Sequence, residues 1–467
     1  MKTTVILFLL LNATSLLAQT TINGTVTDGK KMPIEGANVY LVGTYDGATT
    51  NEKGAFSFET SESGTQILQV TFLSYETFSL QIEVEKMENL NIKLREDVST
   101  LDAVVLSAGT FEAGDNSKVS VLKPLDVVTT ASALGDFVGA LQTLPGTTTV
   151  AEDGRLFVRG GDAGETQIFI DGIRVFTPYT PTSNNAPTRG RYSPFLFDGI
   201  TFSTGGYSAE YGQALSSVLL LNTIDEPDQE QTDVSIMSVG LGLGHTEKWK
   251  ESSLSVNTSY MNLTPYFELF PSRNNFTTPY QTFSGEAVFR QKTKNGLLKL
   301  YTAFDHTNFS IIQENINYPD GLDFSLNNNN LYFNGTYAGV LGDTWSMQGG
   351  MSYTLAKNKV GVIESDIDNT ENSIHAKAKF KKRFSNRFKL NFGAEYFVTN
   401  FKEDYLAESD NYKSEFNNNI EAAFTEADII ISKKFAMKLG LRGEYSELLN
   451  QATLSPRFSL AYKTGKN

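Results

Sequence analysis

Cysteine does not occur anywhere in the 467 residues of this chain. Its absence excludes disulfides, catalytic thiols, cysteine-based metal sites and lipoprotein anchoring. Histidine is scarce: His245, His306 and His375 lie far apart, and none belongs to a metal-ligand motif. The sequence therefore predicts no metal, no cofactor and no enzymatic activity.

Long apolar runs are also lacking, since no segment approaches the roughly eighteen residues that a membrane-spanning helix needs. Residues 1–18 have the features of a secretory signal: Lys2 precedes a short apolar run, Val5–Leu11, and Ala18 is a suitable cleavage residue. An exported protein without a membrane-spanning helix is expected in the periplasm, in the outer membrane or in the medium.

Basic residues are outnumbered, with 39 Lys and Arg against 53 Asp and Glu, and the formal net charge of −14 argues against a nucleic-acid partner. Hydrophobic residues make up 40% and the mean hydropathy is −0.24. That is too polar for a helical membrane protein. It is expected for a β-barrel, in which only alternate residues face lipid.

What the sequence does contain is alternation. From about residue 230 onwards, apolar and polar residues alternate in segments of roughly ten. One such face carries Phe388, Leu390, Phe392, Ala394 and Tyr396. Short links alternate with long polar stretches, which we predict as loops near 263–282, 307–330, 356–373 and 398–417. This arrangement is typical of an outer-membrane β-barrel, and we count about eleven strands.

Residues 19–96 form a separate β-rich unit of short strands and turns, which predicts a small sandwich. The ordered motifs at Gly24–Asp28, Pro33–Val39 and Thr50–Phe56 resemble the carboxypeptidase-regulatory-like, transthyretin-like domain. The resemblance implies an accessory sandwich and no peptidase activity.

Residues 97–225 are mixed and glycine-rich, with a predicted helix over 131–143 followed by short strands. Four ordered blocks resemble the plug of the TonB-dependent outer-membrane receptors: Ala140–Gly146, Leu156–Gly161, Gln167–Val175 and Gly206–Gln213. The resemblance implies an α/β plug beside or inside the barrel.

Some plug residues have physical roles that can be argued directly. Asp171-Gly172 between two β-rich runs is a hairpin signal. Arg159 beside Gly160-Gly161 could fork onto a carboxylate, with Glu210 or a barrel carboxylate as its partner. We interpret these residues as plug-folding and docking elements rather than as substrate contacts.

Upstream of the plug lies a short apolar segment that looks like the family's TonB box: Asp102, Ala103, Val104, Val105 and Leu106. An extended, otherwise unpaired segment of this kind suits recognition by strand addition. The alternative is an ordinary linker strand.

The predicted fold is mainly β: a signal peptide (1–18), a β-sandwich (19–96), a mixed α/β plug (97–225) and an antiparallel transmembrane β-barrel (226–467). The resembled family closes its barrel with about twenty-two strands. Because an open half-barrel leaves an unpaired edge in lipid, we expect a fragment or a truncated product, with self-association as a weaker alternative.

The resemblance implies an outer-membrane receptor that imports a siderophore, a vitamin, a peptide or a small glycan by energised plug rearrangement. Its implied partners are a TonB-type energy-transducing protein, outer-membrane lipid, the extracellular nutrient and a candidate surface lipoprotein. The alternative is a surface adhesin or scaffold without transport. A periplasmic hydrolase would need a nucleophile or a metal constellation, and neither is visible.

Overall fold

The computed structural model describes residues 20–464, except 29–30, 73–74, 76, 96–118, 132, 134, 151–152, 182–188, 273, 343, 386, 408–409 and 433. The signal-like segment and residues 102–106 lie outside the described residues. No helix in the described part of the chain is long and apolar enough to cross a membrane.

The N-terminal unit is a two-sheet sandwich, as predicted. Its strands are β1 (Thr20–Thr27), β2 (Asn38–Leu41), β3 (Gly47–Thr49), β4 (Ala55–Thr60), β5 (Thr65–Thr71), β6 (Phe78–Glu83) and β7 (Leu90–Lys93). One sheet has the order β4-β1-β7 and the other β3-β2-β5-β6. Alternate residues such as Ile22, Val26, Leu68 and Val70 point inward and are fully buried. The period-two pattern thus closes a core within this unit.

The described part of the plug contains two short α-helices and seven strands. They are β8 (Val119–Leu122), α1 (Pro124–Thr129), α2 (Phe137–Leu141), β9 (Thr147–Val150), β10 (Asp153–Val158), β11 (Thr166–Ile170), β12 (Ile173–Val175), β13 (Phe197–Ser203) and β14 (Ser217–Thr223). The central sheet has the order β12-β11-β14-β13-β8. The predicted helix over 131–143 is shorter than expected, because Gly135 has a φ of +79° and interrupts it.

The C-terminal half forms one antiparallel sheet, which we call the wall. Its strands are β15 (Gln231–Met237), β16 (Gly240–Lys248), β17 (Ser252–Asn262), β18 (Asn275–Thr293), β19 (Gly296–Asn315), β20 (Tyr318–Leu341), β21 (Trp345–Val362), β22 (Ser365–Ser385), β23 (Phe388–Ala407), β24 (Asp410–Ser432), β25 (Phe435–Ser446) and β26 (Gln451–Tyr462). A third helix, α3 (Thr264–Leu269), lies between β17 and β18. The wall has 12 strands, each beside its sequence neighbours, rather than about eleven.

Three of the predicted long loops are wrong. The stretches 307–330, 356–373 and 398–417 are almost entirely strand, and residues 316–317, 363–364 and 408–409 are all that separates the paired strands. These strand ends are rich in polar residues, so composition alone suggests a loop. Their inner face nevertheless carries a small buried cluster of Phe309, Ile311 and Leu326. Exposed cross-strand ion pairs such as Lys413–Asp404 (3.2 Å) lie along them.

The outer face of the wall carries aromatic residues that include Phe283, Tyr353, Tyr396 and Tyr445, and Tyr396 and Tyr445 lie opposite the same residue, Glu421 of β24. The Tyr353 hydroxyl donates to Asn372 Oδ1 at 3.0 Å, at the point where the outer face turns polar. Rings with a polar tip at such a boundary are typical of a membrane interface.

Candidate functional site

Glu210 of the plug is the centre of a buried ion cluster with the wall. Lys377 Nζ contacts its Oε1 atom, and Lys379 Nζ lies 3.0 Å from its Oε2 atom. All three residues are 6% exposed. Because side chains alternate along β22, Lys377 and Lys379 share the inner face while Ala376 and Ala378 face outward. Sequence analysis missed these lysines, although their alternation with small residues was a usable signal.

Glu395 extends this cluster across the next strands. Arg442 Nη1 lies 2.6 Å from Glu395 Oε2, and His375 Nε2 lies 3.2 Å from Oε1. The Nδ1 atom of His375 accepts the backbone N–H of Arg174 at 2.9 Å, so Nε2 carries the proton in the neutral ring. Arg442 also donates to the carbonyl oxygen of Glu210 at 2.8 Å. His375 and Arg442 therefore each contact both the plug backbone and the Glu395 carboxylate of the wall.

Asp171 and Gly172 form the two-residue turn between β11 and β12, and both have positive φ, +48° and +79°. The Asp171 carboxylate accepts the Thr223 N–H at 3.0 Å and lies 3.0 Å from Lys299 Nζ. The Gly172 carbonyl accepts from Lys377 Nζ at 3.1 Å. The turn thus joins the plug sheet to two wall strands.

Arg159 lies elsewhere, and its suggested pairing with Glu210 is wrong. Its side chain is exposed, its φ is +51°, and its backbone N–H donates to the carbonyl of Gly146 at 2.9 Å. Gly160 has a φ of +80°. Gly161 is in a tight site, where a Cβ atom would lie 3.0 Å from the Cβ of Ser216. Arg159 therefore belongs to a backbone turn, and the partners of Glu210 are Lys377 and Lys379.

Wall asparagines make a second set of contacts, and one of them, Asn330, lies in a stretch that the sequence analysis had assigned to a loop. Asn334 Nδ2 donates to the carbonyl of Ile170 at 2.7 Å, and Asn330 Nδ2 donates to Thr177 Oγ1 at 2.6 Å. Beside them, Arg191 of the plug lies 2.5 Å from both carboxylate oxygens of Asp305. The inner face is therefore a row of donors and acceptors matched to the plug.

The plug segment 206–213 is held mainly through its backbone. The Ala209 N–H donates to Glu426 Oε2 at 2.8 Å, and Arg457 Nη2 donates to the carbonyl of Tyr211 at 2.7 Å. Gly440 of the wall approaches closely, since a Cβ atom there would lie 2.9 Å from the Cβ of Ala209. This segment is one of the four blocks that carried the family resemblance.

Three family models match the chain in order. They are the CarboxypepD_reg-like domain over residues 22–106, the TonB-dependent Receptor Plug Domain over 116–218 and the Outer membrane protein beta-barrel family over 361–464. The matches agree with the sandwich, the plug and part of the wall.

Curated relatives match a limited part of the chain. A TonB-dependent receptor of Formosa agariphila is 27% identical over 172 residues, which is 37% of this chain and 16% of the relative. The TonB-dependent receptor SusC of Bacteroides thetaiotaomicron is 28% identical over 171 residues, 34% of this chain and 16% of the relative.

Solved receptors share the fold at low identity. The ferric enterobactin receptor PfeA of Pseudomonas aeruginosa aligns with a TM-score of 0.57 and 14% identity, covering 76% of this chain and 62% of that receptor. The alcaligin receptor FauA of Bordetella pertussis gives a TM-score of 0.57 at 12% identity, covering 74% of this chain and 60% of that receptor.

Proposed function

We propose that this outer-membrane chain, which has the domain order and fold of the TonB-dependent receptors, takes part in importing a nutrient that is too large or too scarce for diffusion through porins. In this proposal, an external ligand binds the end of the plug opposite its junction with the wall. An energising protein then rearranges the plug and opens a path.

The observation that supports this proposal is the chemistry of the plug–wall interface. Many of its contacts are ion pairs and hydrogen bonds, such as Glu210–Lys379 and Asn334–Ile170. They surround an apolar cluster in which Tyr192 of the plug packs on Tyr301 of the wall. The charged and polar groups can exchange one polar partner for another or for water, whereas an apolar core loses its stabilisation when it is opened. The interface is therefore suited to a plug that moves without unfolding the wall.

The handle for this movement is the segment Asp102–Leu106, which precedes β8 of the plug. It lies outside the described residues, so its role rests on sequence and position. A TonB-type energy-transducing protein would bind it by strand addition, in which backbone N–H and C=O groups supply the affinity. A pull on this segment reaches the plug sheet through β8.

Val104→Pro tests the handle, because proline removes a backbone donor that strand addition requires. A deletion strain is first screened on iron sources, vitamins and glycans to find the nutrient whose use it loses. We expect the proline variant to bind this nutrient at the cell surface but not to take it up. Val104→Thr keeps the N–H group and the branched shape, and should transport normally.

Normal uptake by the proline variant would contradict the proposed role of Asp102–Leu106 as the segment on which the energising protein pulls. It would also weaken the proposed transport function. The same result would favour the alternative, a surface adhesin or scaffold, which has no use for a periplasmic handle. No observation in the structure favours that alternative.

A further inference from the structure

The two ends of the wall differ on their outer face. At one end the strands continue past the outer aromatic residues as polar extensions, which carry pairs such as Lys413–Asp404. At the other end, which holds the connections after β18, β20, β22 and β24, the outer face stays apolar almost to the last residue pair. Outer-membrane barrels carry their longer segments outside the cell, so this second end is periplasmic.

The periplasmic end of β22 and β23 has an excess of positive charge. Residues 372–394 contain seven Lys and Arg residues and no Asp or Glu, although the formal net charge of the chain is −14. Two of the seven, Lys377 and Lys379, point inward to Glu210. The other five lie at or near the connection between the two strands: Lys381, Lys382, Arg383, Arg387 and Lys389. This end of the wall is therefore strongly basic.

Lys382 is the cation of this group that faces the membrane. Side chains alternate along β22, so Lys382 lies on the outer face together with Ala376 and Ala378. From the periplasmic connections up to the level of Tyr396, it is the only charged side chain on the described outer face of β21–β25. A lysine in such a place keeps its stem in the apolar layer and its ammonium group among the polar headgroups.

Trp345 marks the depth of these headgroups. It is the first residue of β21 and lies opposite Lys382, whose Nζ atom is 4.6 Å from the centre of its ring. The ring of Phe392 meets the Trp345 ring edge-on at 6.1 Å. Tryptophan is enriched where hydrocarbon and headgroups meet. The Lys382 ammonium group is therefore held at the level of the lipid phosphates.

Two neighbouring connections each present a further cation in the same way. Ser385–Phe388 and Ser432–Phe435 share the pattern serine, any residue, basic residue, phenylalanine. The backbone N–H of the basic residue, Arg387 or Lys434, donates to the serine hydroxyl oxygen at 3.2 Å in both. Both basic residues are exposed, and both phenylalanines begin the next strand on the outer face. The repeated turn places an exposed cation beside a lipid-facing ring.

The three cations lie along one short edge of the wall. Lys382 is near the end of β22, and Arg387 is in the connection that follows. The carbonyl oxygen of Arg387 accepts the N–H of Ile430 at 2.8 Å, and Ile430 lies on the strand that leads into Lys434. We call Lys382, Arg387 and Lys434 the positive edge.

Carboxylates lie elsewhere at this end of the wall. Beside the connections after β16 and β18, Lys248 and Lys292 lie 3.3 and 3.6 Å from Glu226. Asp428 of β24 faces inward and lies 3.3 Å from Lys438. The described outer face of β21–β25 has no carboxylate at this level. The positive edge therefore adjoins an apolar surface, which is the arrangement that an anionic lipid complements.

We propose that the positive edge binds the phosphate headgroup of an anionic phospholipid in the periplasmic leaflet, with the acyl chains lying against the apolar outer face. Lysine and arginine bind phosphate through charge-assisted hydrogen bonds. Beside Lys382, the stacked rings of Phe380 and Phe392, 5.8 Å apart, offer a surface to the acyl chains. A periplasmic protein fits less well, because these rings lie at membrane depth. The inference goes beyond the proposed transport function and requires only that the chain lies in the outer membrane.

Lipid binding to the full chain in a neutral detergent tests the inference. Native mass spectrometry counts each bound lipid during titration with dioleoyl phosphatidylglycerol, and with dioleoyl phosphatidylcholine as the zwitterionic probe. We expect phosphatidylglycerol to bind more tightly than phosphatidylcholine. Lys382→Gln and Arg387→Gln should each weaken the first phosphatidylglycerol about fivefold, the effect of one basic residue at a membrane surface. Lys382→Arg keeps the charge and should bind like the parent chain.

Lys402→Gln is the matched control, because it removes the same charge from the outer face of β23 at the opposite end, where Lys402 lies 3.6 Å from Glu415. It should leave lipid binding unchanged, and protease resistance of the plug verifies the fold of every variant. The inference is overturned if the two lipids bind equally or if Lys402→Gln loses as much affinity as Lys382→Gln. It is also overturned if the triple variant Lys382→Gln, Arg387→Gln, Lys434→Gln binds like the parent chain.

Two further outcomes would assign the positive edge to another partner. Inorganic phosphate that displaces phosphatidylglycerol at equal concentration would indicate a site for a free anion. Cross-linking of the positive edge to an acidic periplasmic protein in cells, without phosphatidylglycerol binding in detergent, would indicate a protein-binding surface. Either result would overturn the lipid site.

Discussion

The N-terminal sandwich and the plug–wall interface differ in the side chains that they bury. The sandwich encloses aliphatic and aromatic residues such as Leu68 and Val70. The interface has an apolar cluster too, but it also encloses charged groups such as Glu210, Lys377 and Arg442. Apolar burial is non-directional and stabilises a unit that stays closed. Buried ion pairs contribute little net stability but are sensitive to the loss of one partner. We infer that the sandwich is built to persist and the interface to be rearranged.

A covalent link across the interface should have the largest effect. Because the chain has no cysteine, Ala209→Cys with Gly440→Cys would introduce the only possible disulfide. A Cβ atom at Gly440 would lie 2.9 Å from that of Ala209, so a small shift reaches disulfide geometry. We expect the oxidised double variant to lose energised uptake completely and to regain it after reduction.

Each single-cysteine variant should transport normally and provides the control. Normal uptake by the fully oxidised protein, with the cross-link verified by gel mobility, would show that the segment 206–213 stays on the wall during transport. The interface would then be static, and its contrast with the sandwich would disappear.

Removing the central carboxylate should have the next largest effect. Glu210→Ala leaves Lys377 and Lys379 buried beside each other and should destabilise plug docking by about 3–5 kcal/mol. Hydrogen exchange of the plug in outer membranes measures this change. Adding Lys377→Met and Lys379→Met to Glu210→Ala should restore much of the protection, because the two buried like charges that Glu210 balanced are then removed as well. Unchanged exchange in Glu210→Ala alone would refute the role of this cluster.

The sandwich should respond to a cavity rather than to a charge. We expect residues 20–95 to fold as an isolated polypeptide, and Leu68→Ala to lower its free energy of unfolding by about 2–5 kcal/mol. Leu68 is 0% exposed, while the neighbouring Ile67 is 39% exposed, so Ile67→Ala should have a much smaller effect. Thermal unfolding by circular dichroism measures both. An unfolded parent peptide would show that the sandwich needs the rest of the chain.

The sequence predicted what depends on local pattern. The sandwich core and the wall strands follow from alternation, and the turn at Asp171-Gly172 follows from its residue types. The partners of Glu210 could not be predicted, because Lys377 is 167 positions away and the pairing is set by how the plug is seated. The stretch Asn327–Asn330 was misread as a loop, since amide side chains favour turns in water but can line a strand when a plug supplies their partners.

Substitution of Arg159 should have the smallest effect of these changes. It tests whether this residue docks the plug, as its sequence context suggested, or only belongs to a backbone turn, as the structure indicates. A buried arginine paired with a carboxylate would cost several kcal/mol to remove, but this side chain is exposed, so Arg159→Ala should change plug stability by about 0.5 kcal/mol or less. Its φ of +51° is a strained value for a residue with a Cβ atom. Arg159→Gly removes that strain and should stabilise the turn slightly relative to Arg159→Ala. Protease resistance and hydrogen exchange of the plug compare the two variants. A loss of docking in Arg159→Ala as large as that in Glu210→Ala would mean that Arg159 contacts the wall after all, and the lysine cluster would no longer account for plug docking alone.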